Sequence, residues 1–328
     1  MSRNPKLPVE GIAHLLVVYF VWGSTYLAIR IAVRDGGGGF PAFLLAASRT
    51  LVASAVLLGF LAIRGKRIIP TRQEAPALLA SGILLWVGGN GLVTWAERHA
   101  DSGYAALLVG TMPMWIAAID SILDRRAPSP RLAASLLLGF GGLFVLTWPM
   151  LREGARADLH SVVALLVAPL SWGIGLVIQK RRPAAMSPVA SSGILQLAGG
   201  LGLAALAAAS GERIPHPSTE AWLAWGYLVA GGSLLAFTSF LRAVQLLPTR
   251  IVATYSYVNP VLAVFLGWLL LGETITEWTI AGTALILAGI AGTFHAPPPR
   301  IVSSLDSDSG RRLRTGEYSR SADRCSGT

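Results

Sequence analysis

One arginine lies inside an otherwise uncharged apolar segment. Arg49 is near the middle of residues 36–63, which contain no other Asp, Glu, Lys or Arg. If this segment crosses a membrane, an arginine there costs about 2.5–3.5 kcal/mol on insertion scales, so it should face a cavity or a partner. Its planar guanidinium could bind a carboxylate through two hydrogen bonds. The alternative is a structural contact with backbone carbonyls or a polar side chain near a helix break.

Other polar and aromatic side chains could line a cavity with Arg49. Gln196 lies 147 positions later at the corresponding depth of its own apolar segment, and an Arg/Gln pair would suit an asymmetric solute. Aromatic rings can stack on flat solutes or cations, although they also anchor helix ends at membrane interfaces. Small polar residues can serve a cavity or helix–helix hydrogen bonds. The cavity candidates are Trp22, Ser24, Thr25, Tyr26, Arg49, Asn90, Thr94, Trp172, Gln196, Tyr257 and Asn259.

Two prolines inside apolar segments could bend the chain. Pro113 follows Met112, and Pro260 follows Asn259 after an offset of 147 positions. Proline removes a backbone donor and frees a carbonyl, which in a membrane must be paired internally or line a wet cavity. We expect Pro113 and Pro260 to be hinges or cavity walls, the alternative being static kinks that only shape packing.

Acidic residues in these segments lie toward their ends. Glu97 and Glu273 are candidates for a gate, and Asp120, close to Arg125 and Arg126, is expected to form an interfacial salt bridge. The sequence has no deeply placed carboxylate. This weakens a simple carboxylate relay of protons and leaves exchange or facilitated diffusion open.

The segments that must position these residues are long and apolar. The chain is 53% hydrophobic and 13% charged, about half the charge of a typical soluble domain. A helix needs roughly 20 residues to cross a bilayer core. Ten segments approach or exceed that length and predict an all-α integral membrane protein: 11–29, 36–63, 75–96, 102–123, 132–151, 161–179, 183–211, 221–241, 251–272 and 278–299.

The two halves of the sequence repeat each other. Trp22-Gly23 leads to Arg30, and Trp172-Gly173 leads to Lys180, with each position offset by 150. Because each half holds five segments, a duplicated unit would enter the membrane from the opposite face the second time. We predict two inverted five-helix repeats around a central cavity, at 11–150 and 161–294. Residues 1–10 and the polar tail 295–328 are expected to be cytoplasmic, and the tail disordered.

The net charge of +10 is best explained by topology. With the N-terminus inside, 20 of the 27 Lys and Arg residues lie in cytoplasmic segments, five lie outside and two lie within spans. That asymmetry follows the positive-inside rule. It predicts a multi-pass plasma-membrane protein with both termini cytoplasmic, and it gives no reason to expect nucleic-acid binding.

An ordered set of motifs runs through both halves. Together it resembles the drug/metabolite transporter superfamily, most closely its bacterial EamA-domain exporters, over residues 11–294. The motifs are Trp22-Gly23-Ser24-Thr25-Tyr26, Trp172-Gly173, Tyr257-Val258-Asn259-Pro260 and Leu270-Leu271-Gly272-Glu273. The resemblance implies a bundle around a central cavity, export of small metabolites or amphipathic drugs, and no ATP-hydrolysing domain. In one departure, Arg126 stands where the second half has Glu273, which argues against a symmetric role for that glutamate.

We therefore predict a secondary transporter, not an enzyme, that exports amino-acid-like or amphipathic solutes by alternating access. The alternatives are uptake, a membrane enzyme acting on a lipid-borne substrate, and a channel or scaffold. No cofactor or metal is expected, because the five histidines are scattered and the one cysteine, Cys325, lies in the tail. Expected partners are a small-molecule solute, membrane lipid, and protons or a counter-solute, for a monomer or homodimer.

Overall fold

The computed structural model describes residues 7–33, 38–98, 102–152, 158–214, 216–271 and 275–295, and these ranges are helical with short connections. The first half contains α1 (Val9–Ala32), α2 (Ala42–Ile63), α3 (Ala75–Ala96), α4a (Ser102–Val109), α4b (Met112–Asp124) and α5 (Pro130–Arg152). The second half contains α6 (Leu159–Arg181), α7 (Pro188–Ala209), α8 (Thr219–Leu246), α9a (Thr249–Val252), α9b (Tyr255–Leu271) and α10 (Glu277–His295).

The helices have the length and composition of membrane spans. Within the described ranges, nine stretches are long and apolar enough to cross a membrane, and α9b adds an apolar helix of 17 residues. Large apolar side chains such as Phe20 and Phe60 point outward and are more than half exposed. The prediction of an all-α integral membrane protein is confirmed.

Two pairs of equivalent helices, α2 with α7 and α5 with α10, pack against each other and run antiparallel. In the α2–α7 pair, Ser54 Oγ donates to the Gly193 carbonyl over 2.8 Å, while Gly200 packs against Thr50 and Leu51. In the α5–α10 pair, a Cβ added to Gly142 would lie 2.6 Å from the Ile286 nitrogen. Lipid supplies little hydrophobic force between helices, so such close backbone contacts stabilise the bundle through van der Waals packing.

Each half also packs its first helix onto the other half. α1 packs along α8 and α9b, and α6 packs along α3 and the two pieces of α4. The halves are therefore interleaved, and any space between them is bordered by helices of both.

Two carboxylates hold the α2–α7 pair at its ends. Glu212, which follows α7, accepts hydrogen bonds from the Phe43 and Leu44 nitrogens at 3.1 and 2.8 Å, in the first turn of α2. Backbone donors there have no partner within the helix. Glu74, at the end of the loop from α2 to α3, accepts a hydrogen bond from the Ala185 nitrogen just before α7 at 2.8 Å. The two halves are thus joined at both ends of this pair.

Helices α3 and α8 each contain a π-helical segment at the same place. These segments are Ile83–Gly91 and Leu228–Ala236, which lie 145 positions apart. Both are rich in glycine, which weakens α-helix formation. The sequence pattern did not predict this feature, and π-helical turns occur frequently at functional sites.

Helices α4 and α9 are each interrupted. The chain turns at residues 110–111 between α4a and α4b, and at residues 253–254 between α9a and α9b. Pro113 lies in the first turn of α4b, where its missing N–H removes no helical hydrogen bond. Pro260 lies inside α9b and leaves the Ser256 carbonyl without its helical donor. The prolines therefore occupy different places relative to the breaks.

The glycine contacts predict a difference between two adjacent residues of α5. Gly142→Ala should lower the melting temperature in detergent, because its methyl group would press on the α10 backbone, and overpacking costs typically about 1–3 kcal/mol. Gly141→Ala should leave that temperature unchanged or raise it, because a Cβ there meets nothing within 4 Å. Equal melting temperatures for the two variants would contradict the close α5–α10 contact.

Candidate functional site

A cavity of about 90 Å³ lies between the two halves. It is bordered by α1, α2, both π-helical segments, α6 and the helix starts that follow the breaks in α4 and α9. Its size leaves room for several water molecules, since about 10–15 Å³ suffices for one. Six of the predicted site residues line it: Trp22, Thr25, Arg49, Asn90, Trp172 and Asn259.

Arg49 is the only cationic side chain of the described residues on the cavity wall, and it is 5% exposed. Its Nη2 donates to Asn90 Oδ1 over 2.7 Å, and its guanidinium carbon lies 5.3 Å from the centre of the Trp86 ring. Within the described ranges Arg49 Nε has no hydrogen-bond partner, and none of the ion pairs found there includes Arg49. A neutral amide and an aromatic face thus hold a buried cation.

Aromatic rings form much of the remaining wall. Trp22 and Trp172, the repeated tryptophans, meet edge to face with ring centroids 5.6 Å apart. The ring centroid of Tyr255 lies 5.0 Å from that of Trp22, and the ring centroid of Trp86 lies 6.4 Å from that of Trp172. Such a wall suits flat or apolar groups and attracts cations through its ring faces.

Carbonyls of the π-helical segments accept hydrogen bonds from the opposite half. Trp22 Nε1 donates to the Gly232 carbonyl over 3.2 Å, and Ser171 Oγ donates to the Leu84 carbonyl over 2.8 Å. The close approach of α6 requires glycine, because a Cβ on Gly88 would lie 2.1 Å from Ser171 Oγ. These bonds fix both π-helical segments beside the cavity.

Two aromatic cavity residues were missed by the sequence analysis. Trp86 lies four positions before Asn90, a spacing that places both on one face of an α-helix. Tyr255 lies two positions before Tyr257 in the motif that ends with Pro260. The spacing could have indicated Trp86. Tyr255 faces the cavity because the chain breaks immediately before it, and no sequence pattern located that break.

Four predicted cavity residues lie elsewhere. Thr94 donates to the Asn90 carbonyl over 2.8 Å, and Ser24 pairs with Tyr227 on the outer surface. Gln196 donates to the Ser233 carbonyl over 3.1 Å, and Tyr257 donates to the Leu136 carbonyl over 3.1 Å. Each of these four side chains is used in helix–helix or local packing.

Of the two gate candidates, the structure describes only Glu97. Glu97 follows α3 directly and is half-buried, and it lies close enough to Arg49 for electrostatic attraction. Glu273 and the side chain of Tyr26 lie outside the described residues. All four cavity residues of α3 lie in the half of that helix that ends next to Glu97.

A polar cluster closes the other end of the bundle. Arg181, at the end of α6, pairs with Asp120 at 3.0 Å and with Asp124 at 2.8 Å. Thr249 Oγ1 donates to Asp120 over 3.0 Å. The expected salt bridge of Asp120 thus forms, with a helix of the other half as its partner. Arg181 lies nine residues beyond Trp172, which is about 13 Å along a helix.

A bundle of apolar spans in two similar halves around a cavity is the architecture of a membrane transport protein. Each half matches the model of the EamA-like transporter family, at residues 9–148 and 159–294. The chain belongs to this family, and the predicted resemblance is confirmed. It is a membrane transporter of the EamA type.

Individual relatives agree with this assignment. The chain is 31% identical over 317 residues to an uncharacterized inner membrane transporter, YedA, of Escherichia coli (strain K12), covering 94% of this chain and 99% of YedA. It is 25% identical over 303 residues to a probable amino-acid metabolite efflux pump of Salmonella typhimurium, covering 88% and 94%. One solved crystal structure shares the fold, with a TM-score of 0.72 at 23% identity. The match covers 86% of this chain and 95% of the other.

Cysteine labelling can distinguish cavity residues from packed ones. In a Cys325→Ser background, Asn259→Cys should react faster with a small water-soluble thiol reagent than Gln196→Cys. Both native side chains are almost fully buried, but of the two only Asn259 lines the cavity. Labelling is measured by mass spectrometry of the membrane-embedded protein. Equal rates at the two positions would contradict this assignment of the cavity wall.

Proposed function

We propose that this protein is a secondary transporter that exports small metabolites by alternating access between two inverted repeats. The observation that carries the proposal is the aromatic cavity between the halves, with one buried arginine on its wall. The antiparallel pairing of equivalent helices supports inversion, because helices related by a two-fold axis in the membrane plane must run in opposite directions where they meet.

The cavity volume fits a closed stage of such a cycle. Sites for drug-sized ligands usually measure roughly 300–1,000 Å³, several times the volume found here. The proposed cycle enlarges the cavity toward one end and then the other. Glu97 and the Arg181–Asp120 pair lie at opposite ends and are the candidate gates. The breaks in α4 and α9, with Pro113 and Pro260, are the candidate hinges.

Arg49 is the proposed contact for a negatively charged part of the solute. It is buried without an anionic partner within hydrogen-bond distance among the described residues, and its fork of donors matches a carboxylate. The name of the Salmonella relative supports amino-acid-like solutes. The aromatic wall accepts amphipathic ones as well. We propose the plasma membrane as the location, with a solute and a counter-solute or protons as the exchanged species.

A solute-retention screen tests transport directly. Cells expressing the protein should lose at least one labelled solute faster than control cells, in a panel of amino acids, their analogues and cationic drugs. Arg49→Gln should slow the export of anionic or zwitterionic solutes about tenfold or more, since a hydrogen bond to a charged group contributes about 1.5–3 kcal/mol. Ser24→Ala, outside the cavity, should export normally. If no solute in the panel moves faster than in control cells, the proposal fails.

Reporter fusions test the inversion. Alkaline phosphatase fused after residue 36 should be active, and the same enzyme fused after residue 186, the equivalent position of the second half, should be inactive. Folded alkaline phosphatase requires an oxidising compartment for its disulfides. A fluorescent protein fused after Thr328 should be fluorescent in the cytoplasm. Activity of both phosphatase fusions would place the two positions on one side and refute inverted repeats.

A further inference from the structure

The contact between Arg49 and Asn90 pairs a buried charge with a neutral side chain. Asn90 Oδ1 accepts a hydrogen bond from Arg49 over 2.7 Å, but an amide supplies no negative charge. A buried cation is unfavourable in a low-dielectric environment, and the attraction of Glu97 offsets this cost only in part. The position of Asn90 is therefore one at which an anion would bind more strongly than the residue now present.

Several other polar atoms of the cavity residues have no partner. Among the described residues, Arg49 Nε, Trp86 Nε1 and Trp172 Nε1 are buried donors that meet no acceptor, and Asn259 Oδ1 is a buried acceptor that meets no donor. All four residues line the same cavity. Buried polar groups in folded proteins are nearly always hydrogen-bonded, so a complementary solute that reaches these atoms when the cavity enlarges offers acceptors to the first three and a donor to the fourth.

The arrangement of these residues restricts how such a solute is built. Arg49 and Asn259 line one cavity, so the acceptor and donor groups of a solute that meets both are close together. The aromatic wall around Trp22 and Trp172 leaves apolar or flat contact for the rest of the molecule. This combination describes a carboxylic acid with an N–H or O–H donor on a neighbouring atom.

We propose that Asn90 is a specificity-determining residue whose amide holds Arg49 until the carboxylate of such a solute replaces it, while Asn259 accepts a hydrogen bond from the solute's donor group. The proposal rests on the transport function proposed above. It explains why a neutral side chain faces Arg49. A carboxylate at position 90 would neutralise the guanidinium and repel a second carboxylate.

Binding to the purified full-length protein in lipid nanodiscs tests this exchange. The probes are leucine, which has both groups, 4-methylpentanoate, which lacks the donor, and leucinamide, which lacks the carboxylate. Wild-type protein should bind leucine most tightly and leucinamide least tightly, as measured by calorimetry. Asn90→Asp should weaken both carboxylates about tenfold or more, because like charges placed together are strongly unfavourable, and should not weaken leucinamide.

Two further variants separate the two contacts. Arg49→Gln should remove the difference between leucine and leucinamide, and it gives this information even if Asn90→Asp does not fold. Asn259→Ala should reduce the preference for leucine over 4-methylpentanoate to within about twofold, since the hydrogen bond from the ammonium group of leucine is lost. Ser24→Ala is the control and should leave all three affinities unchanged.

The outcomes distinguish this proposal from the transport function. If the wild type binds none of the probes, or if Asn90→Asp weakens all three equally, the exchange at Arg49 is refuted. The retention screen is independent of that result, because it detects any transported solute class. If the cells export a solute but Asn90→Asp weakens the binding of all three probes equally, only the proposed role of Asn90 is overturned.

Discussion

The need to pair every backbone polar group inside a membrane governs this structure. Water cannot reach carbonyls at that depth, so any departure from α-helix must find donors within the protein. Both π-helical segments make such a departure, and the other half supplies the donors through Trp22 and Ser171. The same bonds therefore satisfy the backbone, join the two halves and place Trp86, Asn90 and Gly232 on the cavity wall.

The two halves differ in the side chain that lies beside each π-helical segment, and this difference gives the cavity its charge. Gln196 donates to the Ser233 carbonyl of the second π-helical segment. Its counterpart, Arg49, instead donates to the Asn90 side chain in the first. Gln196 donates within the helix packing, whereas Arg49 Nε is a donor without a partner among the described residues. An interior built from similar repeats thus has one charged wall, which a symmetric duplication could not provide.

Much of the fold could be predicted, because the cost of exposing polar groups to lipid leaves a strong signal in the sequence. The uncharged segments mark the spans, and the same cost singles out Arg49. The sequence indicates much less clearly which face of each helix points toward the cavity. Ser24 and Thr25 are adjacent in a helix that is apolar on all sides, and only Thr25 lines the cavity. A helix of that kind has no polar side to indicate its orientation.

The interruptions could not be predicted for a related reason. Pro113 and Pro260 suggested bends at equivalent positions, but the breaks precede Met112 and Tyr255, which are 143 positions apart. A proline in the first turn of a helix and a proline within a helix look alike in sequence, although only the second removes a hydrogen bond. The π-helical segments also change the angular position of each following residue, so a constant α-helical period misplaces side chains beyond them.

The packing also limits where the proposed movement can occur. The α2–α7 pair is held at both ends by Glu212 and Glu74, and the α5–α10 pair is in backbone contact through Gly142. Separating either pair would expose polar backbone groups or open gaps that lipid tails cannot fill. The remaining elements, α1, α3, α4 and their counterparts, contain the π-helical segments and the breaks. They also border the cavity. The movements of alternating access would therefore have to occur at the same breaks and π-helical segments that form the cavity wall.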